Sequence, residues 1–383
     1  MRILFSSTAG AGHFGPLVPF IRSALGGGHE VLVAGPPALG SSVAPTGATF
    51  WAVDDPPGEE MAAVYDSLPT LPREEANALV LSEIFGRLDA TAALPRLREA
   101  ITSWRPDLVV RETAELGSVV AAELTGVPHA RVGIGLAVME DLLVRIAGPN
   151  VDALRVANGL PSDPGVLALT DAPSLTLFPA GLEDPAVPGA PDTLRFRDPE
   201  WANIVAAEPT DRPFVYLTFG SVVGSLPHAA VFAEAVAAVA DLDADVLLTV
   251  GQATDLDLIG TSPPNVRVER WVDQLEVLGR ASVVVNHGGG GTVLGALAAG
   301  VPQVVAPLFA SDQFINAERL DAVGAGRLVA PAAAEIRAAL DAVLTEPSYR
   351  DTARALAAEL AGQHGTDEFP GLLADRKLSI SHG

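Results

Sequence analysis

Short apolar runs alternate with Ala-rich, helix-like stretches along almost the whole chain, and the alternation breaks once and then restarts. No other feature restricts the fold as much. An uninterrupted apolar strand must be buried on both faces, and so belongs in a parallel sheet with crossover helices. In the first half the runs are MRILFSS (1–7), HEVLVAG (29–35), PDLVVRE (106–112), PHARVGI (128–134) and SLTLFPA (174–180). In the second half they are FVYLTFGS (214–221), DVLLTVG (245–251), VRVERWV (266–272), SVVVNH (282–287), PQVVAP (302–307) and GRLVA (326–330). The segment 183–213 between them is dense in Pro and Asp, has no apolar face, and reads as connecting chain. Residues 54–75 read as a long surface loop, and helix-like spacing runs from 74 to 103. The expectation is an α/β chain with two doubly wound, Rossmann-like parallel-sheet domains facing a central cleft. Its boundaries fall at 1–200, a linker at 201–213, and 214–383, with the C-terminal tail left able to pack back on the N-terminal domain.

A length of 383 residues suits two domains, because single cores rarely grow so large. The formal charge is -23, from 47 acidic against 24 basic residues, with no Lys/Arg cluster. Nucleic acid is therefore not an expected partner, since phosphates need a basic footprint. Lys377 is the single lysine, which removes a P-loop NTPase and Schiff-base or pyridoxal chemistry. Without cysteine there is no disulfide, thiolate nucleophile or thiolate metal site. The remaining histidines show no H-x-x-x-H spacing, so no metal is expected. No signal-peptide core and no membrane-length apolar stretch is present, and the expectation is a soluble, cytoplasmic protein.

Two glycine-rich loops follow predicted strands. The first, STAGAGHFGPL (7–17), places Gly10, Gly12 and Gly15 in the G-x-G-x-x-G spacing of dinucleotide-binding turns. A nicotinamide site also needs an acidic residue at the carboxyl end of the next strand, where this chain reads VAGPP (33–37). Glu30 lies at the wrong end of that strand, so the dinucleotide reading fails its main check. What the loop does carry is a histidine, His13.

The second loop is more specific. A strand ends at His287, four glycines follow, and Thr292 opens a helix. Glycines remove every Cβ from the approach to a helix N-terminus, so backbone N–H groups and the helix dipole meet an anion directly. His287 and the Thr292 hydroxyl add donors to that cradle.

RWVDQLEVL (270–278), HGGGGT (287–292), GVPQVVAP (300–307) and DQFINA (312–317), with GHFGPLVPF (12–20) near the start, resemble the signature of family 1 GT-B glycosyltransferases. The resemblance leans towards the actinomycete enzymes that decorate natural products. It implies that the C-terminal domain holds a nucleotide-sugar donor. Trp271 and Val272 then meet the nucleobase, and Ser221 faces the diphosphate. His287 with Gly289, Gly290, Gly291 and Thr292 cradles it, and Asp312 and Gln313 grip the donor sugar, with Asn316 near them. Gly295 stands where uridine-diphosphate users often carry a ribose-binding Glu, which leans the donor to a TDP-sugar, a UDP-sugar being the alternative. Trp271 as core and Asp312-Gln313 as a helix cap remain alternative readings of the same residues.

By the same resemblance the N-terminal domain binds a hydrophobic small-molecule acceptor, and His13 is the general base. An imidazole with a pKa near ~6.5 suits that role, and a carboxylate should orient it. The matching position is Glu112, with Glu115 one turn on and Arg111 a competitor for the carboxylate. Apolar residues at Leu136, Met139, Leu142, Leu143 and Ile146 suit either an acceptor pocket or core. The expected activity is inverting transfer of a deoxysugar to a natural-product aglycone, with no cofactor and no metal. A sugar-nucleotide epimerase, a catalytically silent auxiliary protein and a nicotinamide enzyme are the alternatives, and homodimerisation is left open.

Overall fold

The computed structural model describes residues 1–165, 167–204, 212–220, 230–252, 254 and 262–375. The strands are β1 (Arg2–Ser6), β2 (Glu30–Gly35), β3 (Thr49–Ala52), β4 (Leu108–Glu112), β5 (His129–Val132), β6 (Ser174–Thr176) and β7 (Leu194–Arg197), then β8 (Phe214–Thr218), β9 (Asp245–Thr249), β10 (Val266–Glu269), β11 (Val283–Asn286), β12 (Gln303–Val305), β13 (Gly326–Leu328) and β14 (His364–Gly365). They form an eight-stranded sheet ordered β14-β7-β6-β5-β4-β1-β2-β3 and a six-stranded sheet ordered β10-β9-β8-β11-β12-β13.

Both sheets share one topology. In the first, β1 pairs in parallel with β2 on one side and β4 on the other, Leu4 lying opposite Leu32 and Val109. In the second, β8 pairs in parallel with β9 and with β11. Strand order therefore reverses between β1 and β4, and again between β8 and β11. In open parallel sheets, ligands bind beyond the carboxyl ends of the strands at such a reversal.

The apolar runs form strands because both faces are covered. In the second sheet Val215, Leu217, Val283 and Val285 pack against Phe232, Val236, Ile336 and Leu340. On the opposite face Tyr216, Leu247 and Val284 meet Leu278 and Ala296. In the first sheet Leu4, Leu32 and Val109 pack on Leu94, Leu97, Val119 and Leu143. Leu136 is also fully buried, while Met139, Leu142 and Ile146 are half-buried against the same core.

Two sequence expectations are corrected. Residues 54–75 are not a loop, since they hold helices Gly58–Ser67 and the start of Arg73–Leu79. The stretch expected as connecting chain at 183–213 contributes β7, paired in parallel with β6, and Phe196 is fully buried 5.2 Å from Phe20. Only two apolar side chains in LRFR point inward, too few to stand out among prolines.

The chain divides into two compact units, and not by a single crossing near residue 200. The first comprises Met1–Leu177, Val187–Phe196 and the segment from His364 onward, and the second Phe178–Ala186 and Arg197–Gln363. The returning C-terminal segment is anchored in the first unit by Phe369, whose ring lies 6.3 Å from Phe5 and 5.4 Å from Phe20.

Candidate active site

At the reversal in the first sheet, the chain leaves β1 through Gly10, whose φ of 110° is open to glycine and strained for other residues. The carbonyl of Gly10 accepts from the N–H groups of His13 (3.2 Å) and Phe14 (3.0 Å), starting the short helix Ala11–Phe14. Phe14 is buried and pins that turn. A Cβ at Gly12 or Gly15 would meet nothing within 4 Å, so close approach requires glycine at neither position.

Across the reversal, β4 ends at Glu112. His13 Nδ1 lies 3.1 Å from Glu112 Oε1, the imidazole 22% exposed and the carboxylate not exposed at all. Glu112 Oε1 also accepts from the Thr8 hydroxyl at 2.9 Å and the Thr8 N–H at 3.3 Å, and Oε2 from the Ala114 N–H at 2.6 Å. Burial pushes this carboxyl up. The charge and hydrogen bond of His13, the Ala114 N–H and the Thr8 hydroxyl outweigh burial and hold it below the ordinary carboxylate range. Glu112 is thus ionised beside His13, and its acceptance at Nδ1 favours the tautomer with the proton there and the lone pair on Nε2.

The other claimants are engaged elsewhere. Glu115 accepts from the Ser118 N–H at 3.2 Å and 3.3 Å, at the start of helix Gly117–Thr125, and burial raises its carboxyl. Arg111 donates to the main-chain oxygens of Thr113 (2.7 Å) and Glu112 (3.3 Å), tying down the chain beyond β4. Burial, with Arg131 nearby, lowers its pKa to about 10, which leaves it a cation at neutral pH.

Asp89 was not singled out from the sequence. It ends a π-helical segment, Val80–Asp89, whose Phe85 ring lies 5.1 Å from the His13 ring. Its half-buried carboxyl is pushed up to about 6, mainly by burial, with Glu115, Glu112 and Asp55 adding to the rise and His13 opposing it.

At the reversal in the second sheet, β11 ends at Asn286 and helix Gly290–Ala298 begins behind Gly289. Asn286 accepts from the Gly288 N–H at 2.7 Å and donates to Gln303 Oε1 at 2.9 Å, while Gln303 donates to the Val293 carbonyl at 3.1 Å. Gly288 has φ 90°, and a Cβ there would lie 2.5 Å from the Gln313 carbonyl oxygen. The His287 ring rests on bare backbone. A Cβ at Gly289 would approach its Nε2 to 2.6 Å, and one at Gly220, just beyond β8, would come within 3.1 Å of the ring. Burial lowers the His287 pKa to about 4, so the imidazole is neutral at pH 7. Its Nδ1 is buried without a hydrogen-bond partner among the described residues.

Around this loop, Gly289 and Gly290 are half-buried and Gly291 is exposed at the helix N-terminus. Gln274, also not anticipated, donates to the Thr292 hydroxyl at 3.3 Å from a helix that Asp273 caps. Trp271 is 68% exposed beyond β10, which removes its reading as core, while Val272 packs beside Tyr216 and Leu278. Asp312 lies half-buried in the first turn of helix Ser311–Val323. Gln313 is buried, its Oε1 accepting from the N–H groups of Leu308 (2.9 Å) and Phe309 (3.2 Å). Asn316 donates to the Gly288 carbonyl at 2.8 Å. Gly295 is buried, and a Cβ there would lie 3.0 Å from Leu278 Cδ1 and 3.9 Å from Gln274 Oε1. Ser221 lies outside the described residues. Among the described residues, no helix is long and apolar enough to cross a membrane.

The two parallel α/β sheets, each with a strand-order reversal, and the relatives that the chain matches make it a glycosyltransferase of the GT-B fold. Models of the erythromycin biosynthesis protein CIII-like N-terminal and C-terminal domains match residues 23–153 and 233–373, and the chain belongs to that family of natural-product glycosyltransferases. It is 33% identical to L-demethylnoviosyl transferase of Streptomyces niveus, over 94% of each chain. It is 34% identical to elloramycin glycosyltransferase ElmGT of Streptomyces olivaceus, over 94% of this chain and 93% of that one. Among solved structures, glycosyltransferase SsfS6 of Streptomyces sp. SF2575, complexed with thymidine diphosphate, superposes with a TM-score of 0.74 at 25% identity, covering 98% of this chain and 99% of that one.

Proposed function

We propose that the chain is an inverting glycosyltransferase that moves a sugar, a deoxysugar on this reading, from a TDP-sugar to a hydroxyl of a hydrophobic natural-product aglycone. Sugar transfer from a nucleotide sugar to a natural product is supported by the relatives, and a thymidine diphosphate donor by the complexed neighbour. The observation that carries the reaction type is the 3.1 Å contact between His13 Nδ1 and the buried, ionised Glu112. In this mechanism Nε2 takes the acceptor hydroxyl proton as the oxygen forms its bond to the anomeric carbon. The bond from that carbon to the diphosphate breaks at the opposite face, so configuration inverts. Glu112 stabilises the imidazolium.

The departing negative charge is met by the N–H groups at the start of helix Gly290–Ala298, the helix dipole and the neutral His287. No cation enters this scheme. Trp271, exposed beyond β10, offers its face to the nucleobase, and Asp312 faces the donor sugar on this reading, with Gln313 buried beside it and holding the Leu308 and Phe309 N–H groups. The absence of a side chain at Gly295 supports a deoxyribose, because no carboxylate there can hold a ribose 2′-hydroxyl.

Calorimetric titration with TDP, UDP and NAD under chelation tests the donor assignment. Tighter binding of TDP than UDP is expected. Equal or tighter UDP binding overturns the reading of Gly295, and binding of NAD alone overturns the transferase itself.

A further inference from the structure

We propose that Asn286 and Gln303 are positioning residues for the donor diphosphate, a buried pair of carboxamides that aims the N-terminus of helix Gly290–Ala298. The inference rests on the reading of the glycine loop as the diphosphate cradle. Glycine has little conformational preference of its own, so a run of four leaves the shape of the loop to be imposed from outside. No side chain caps the helix behind Gly289, so its first N–H groups are left for a ligand, and their aim depends on what holds the backbone. What holds it is a set of carboxamides among apolar neighbours. Asn286 ends a strand that is otherwise valine, Gln303 opens a strand continued by two valines, and both are fully buried.

The hydrogen bonds run in one line. Asn286 Oδ1 accepts from the Gly288 N–H at 2.7 Å, which bends the chain out of β11 and removes that N–H from the donors a ligand can use. The Asn286 amide donates to Gln303 Oε1 at 2.9 Å, and the Gln303 amide donates to the Val293 carbonyl at 3.1 Å, inside the helix. Loop, strand end and helix are thus tied through two side chains, with β12 as the anchor. Asn316 completes the hold by donating to the Gly288 carbonyl at 2.8 Å, so both polar groups of Gly288 are engaged. Neither Asn286 nor Gln303 has a buried nitrogen or oxygen left unpaired. Burying two carboxamides costs solvation that an apolar pair would not, and what a fully satisfied network confers is a single geometry. An oxyanion-type site requires this, because donors help a departing charge only when they are aimed before it forms.

Two substitutions cut the line at different points. Gln303→Met breaks the tie to the helix and leaves the Asn286 turn intact, whereas Asn286→Ser keeps an acceptor for the Gly288 N–H and removes the donor to Gln303. Each variant, checked for folding by its melting temperature, is titrated with TDP by calorimetry and with thymidine by NMR. TDP affinity should fall about tenfold in either, with thymidine affinity unchanged, because only the phosphates meet the helix N-terminus. Combining the two substitutions should lose little more than one alone, since both cut the same link. General loosening of the fold would weaken both ligands alike, or make the two losses add. Either result overturns the proposal, as does unchanged TDP affinity in a folded variant. If the unmodified chain binds TDP no more tightly than thymidine, the cradle reading itself fails, so the two failures are separable.

Discussion

Glu112 accepts hydrogen bonds from His13, Ala114 and Thr8, the last through both its hydroxyl and its N–H, and a glutamine of the same shape cannot accept them all. Its amide NH2 would face a buried donor, at a cost of roughly 1–3 kcal/mol in stability. The rate should suffer more. Glu112→Gln is expected to lower kcat by roughly 10²–10⁴-fold, as loss of an orienting carboxylate does elsewhere, with TDP affinity unchanged. Initial rates and calorimetry on one preparation check this. Asp89 behaves oppositely with pH. Its folded pKa of about 6 lies above the ordinary aspartate value of 3.8, so its contribution to stability is complete below that lower value and is lost as pH rises through about 6. Asp89→Asn should therefore gain stability relative to the unmodified chain at pH 8, and the gain should shrink towards zero by pH 4 in urea titrations. A difference independent of pH would mean that the carboxyl does not titrate as described.

The glycines of the second loop differ in what they do for their element, and substitutions should separate them. Gly288 combines φ 90° with a backbone oxygen 2.5 Å from any added Cβ, so Gly288→Ala should cost stability and lower the melting temperature by several degrees. Gly291 has nothing within 4 Å and φ outside the left-handed region, so Gly291→Ala should leave the melting temperature unchanged. If the open space at Gly291 admits the diphosphate, that methyl should weaken TDP binding by about tenfold or more, an effect of about 1.4 kcal/mol. Loss of stability without loss of affinity at Gly291 would refute the cradle.

The same contrast explains what could be read from sequence. Strands β1, β2, β4, β8 and β11 are buried on both faces and appear as continuous apolar runs. β3 and β14 are sheet edges, and β7 lies next to an edge; they are short, with broken burial patterns, and left no run to find. His13 and the second loop stood out because local glycine spacing marks them, whereas Glu112 was reached only through the family resemblance, since nothing in its local pattern ties it to His13. The π-helical segment that brings Phe85 to His13 and ends at Asp89 was not legible, because the residue pattern does not encode a widened helical turn.

At the scale of the whole molecule, the chain builds the same reversal of strand order twice and gives each copy a different task. The first holds the histidine–carboxylate pair, and the second a glycine-lined helix N-terminus, which on the proposed reading meets the donor diphosphate. Each has its own core, so each should respond to its own perturbation. TDP at about 100 times its dissociation constant should stabilise the second unit by about 2.7 kcal/mol. Phe369→Ala acts elsewhere, because this fully buried ring belongs to the first unit through Phe5 and Phe20, although it lies near the end of the sequence. Loss of such a ring costs roughly 3–5 kcal/mol. Hydrogen exchange should then show faster exchange across β1, β2 and β4 in Phe369→Ala, and slower exchange across β8 and β11 with TDP. If the substitution loosened the second sheet instead, the tail would be stabilising the wrong unit and the division of the chain would have to be redrawn. If TDP protected only the first sheet, the donor site would have to be moved from the glycine loop to the turn around His13.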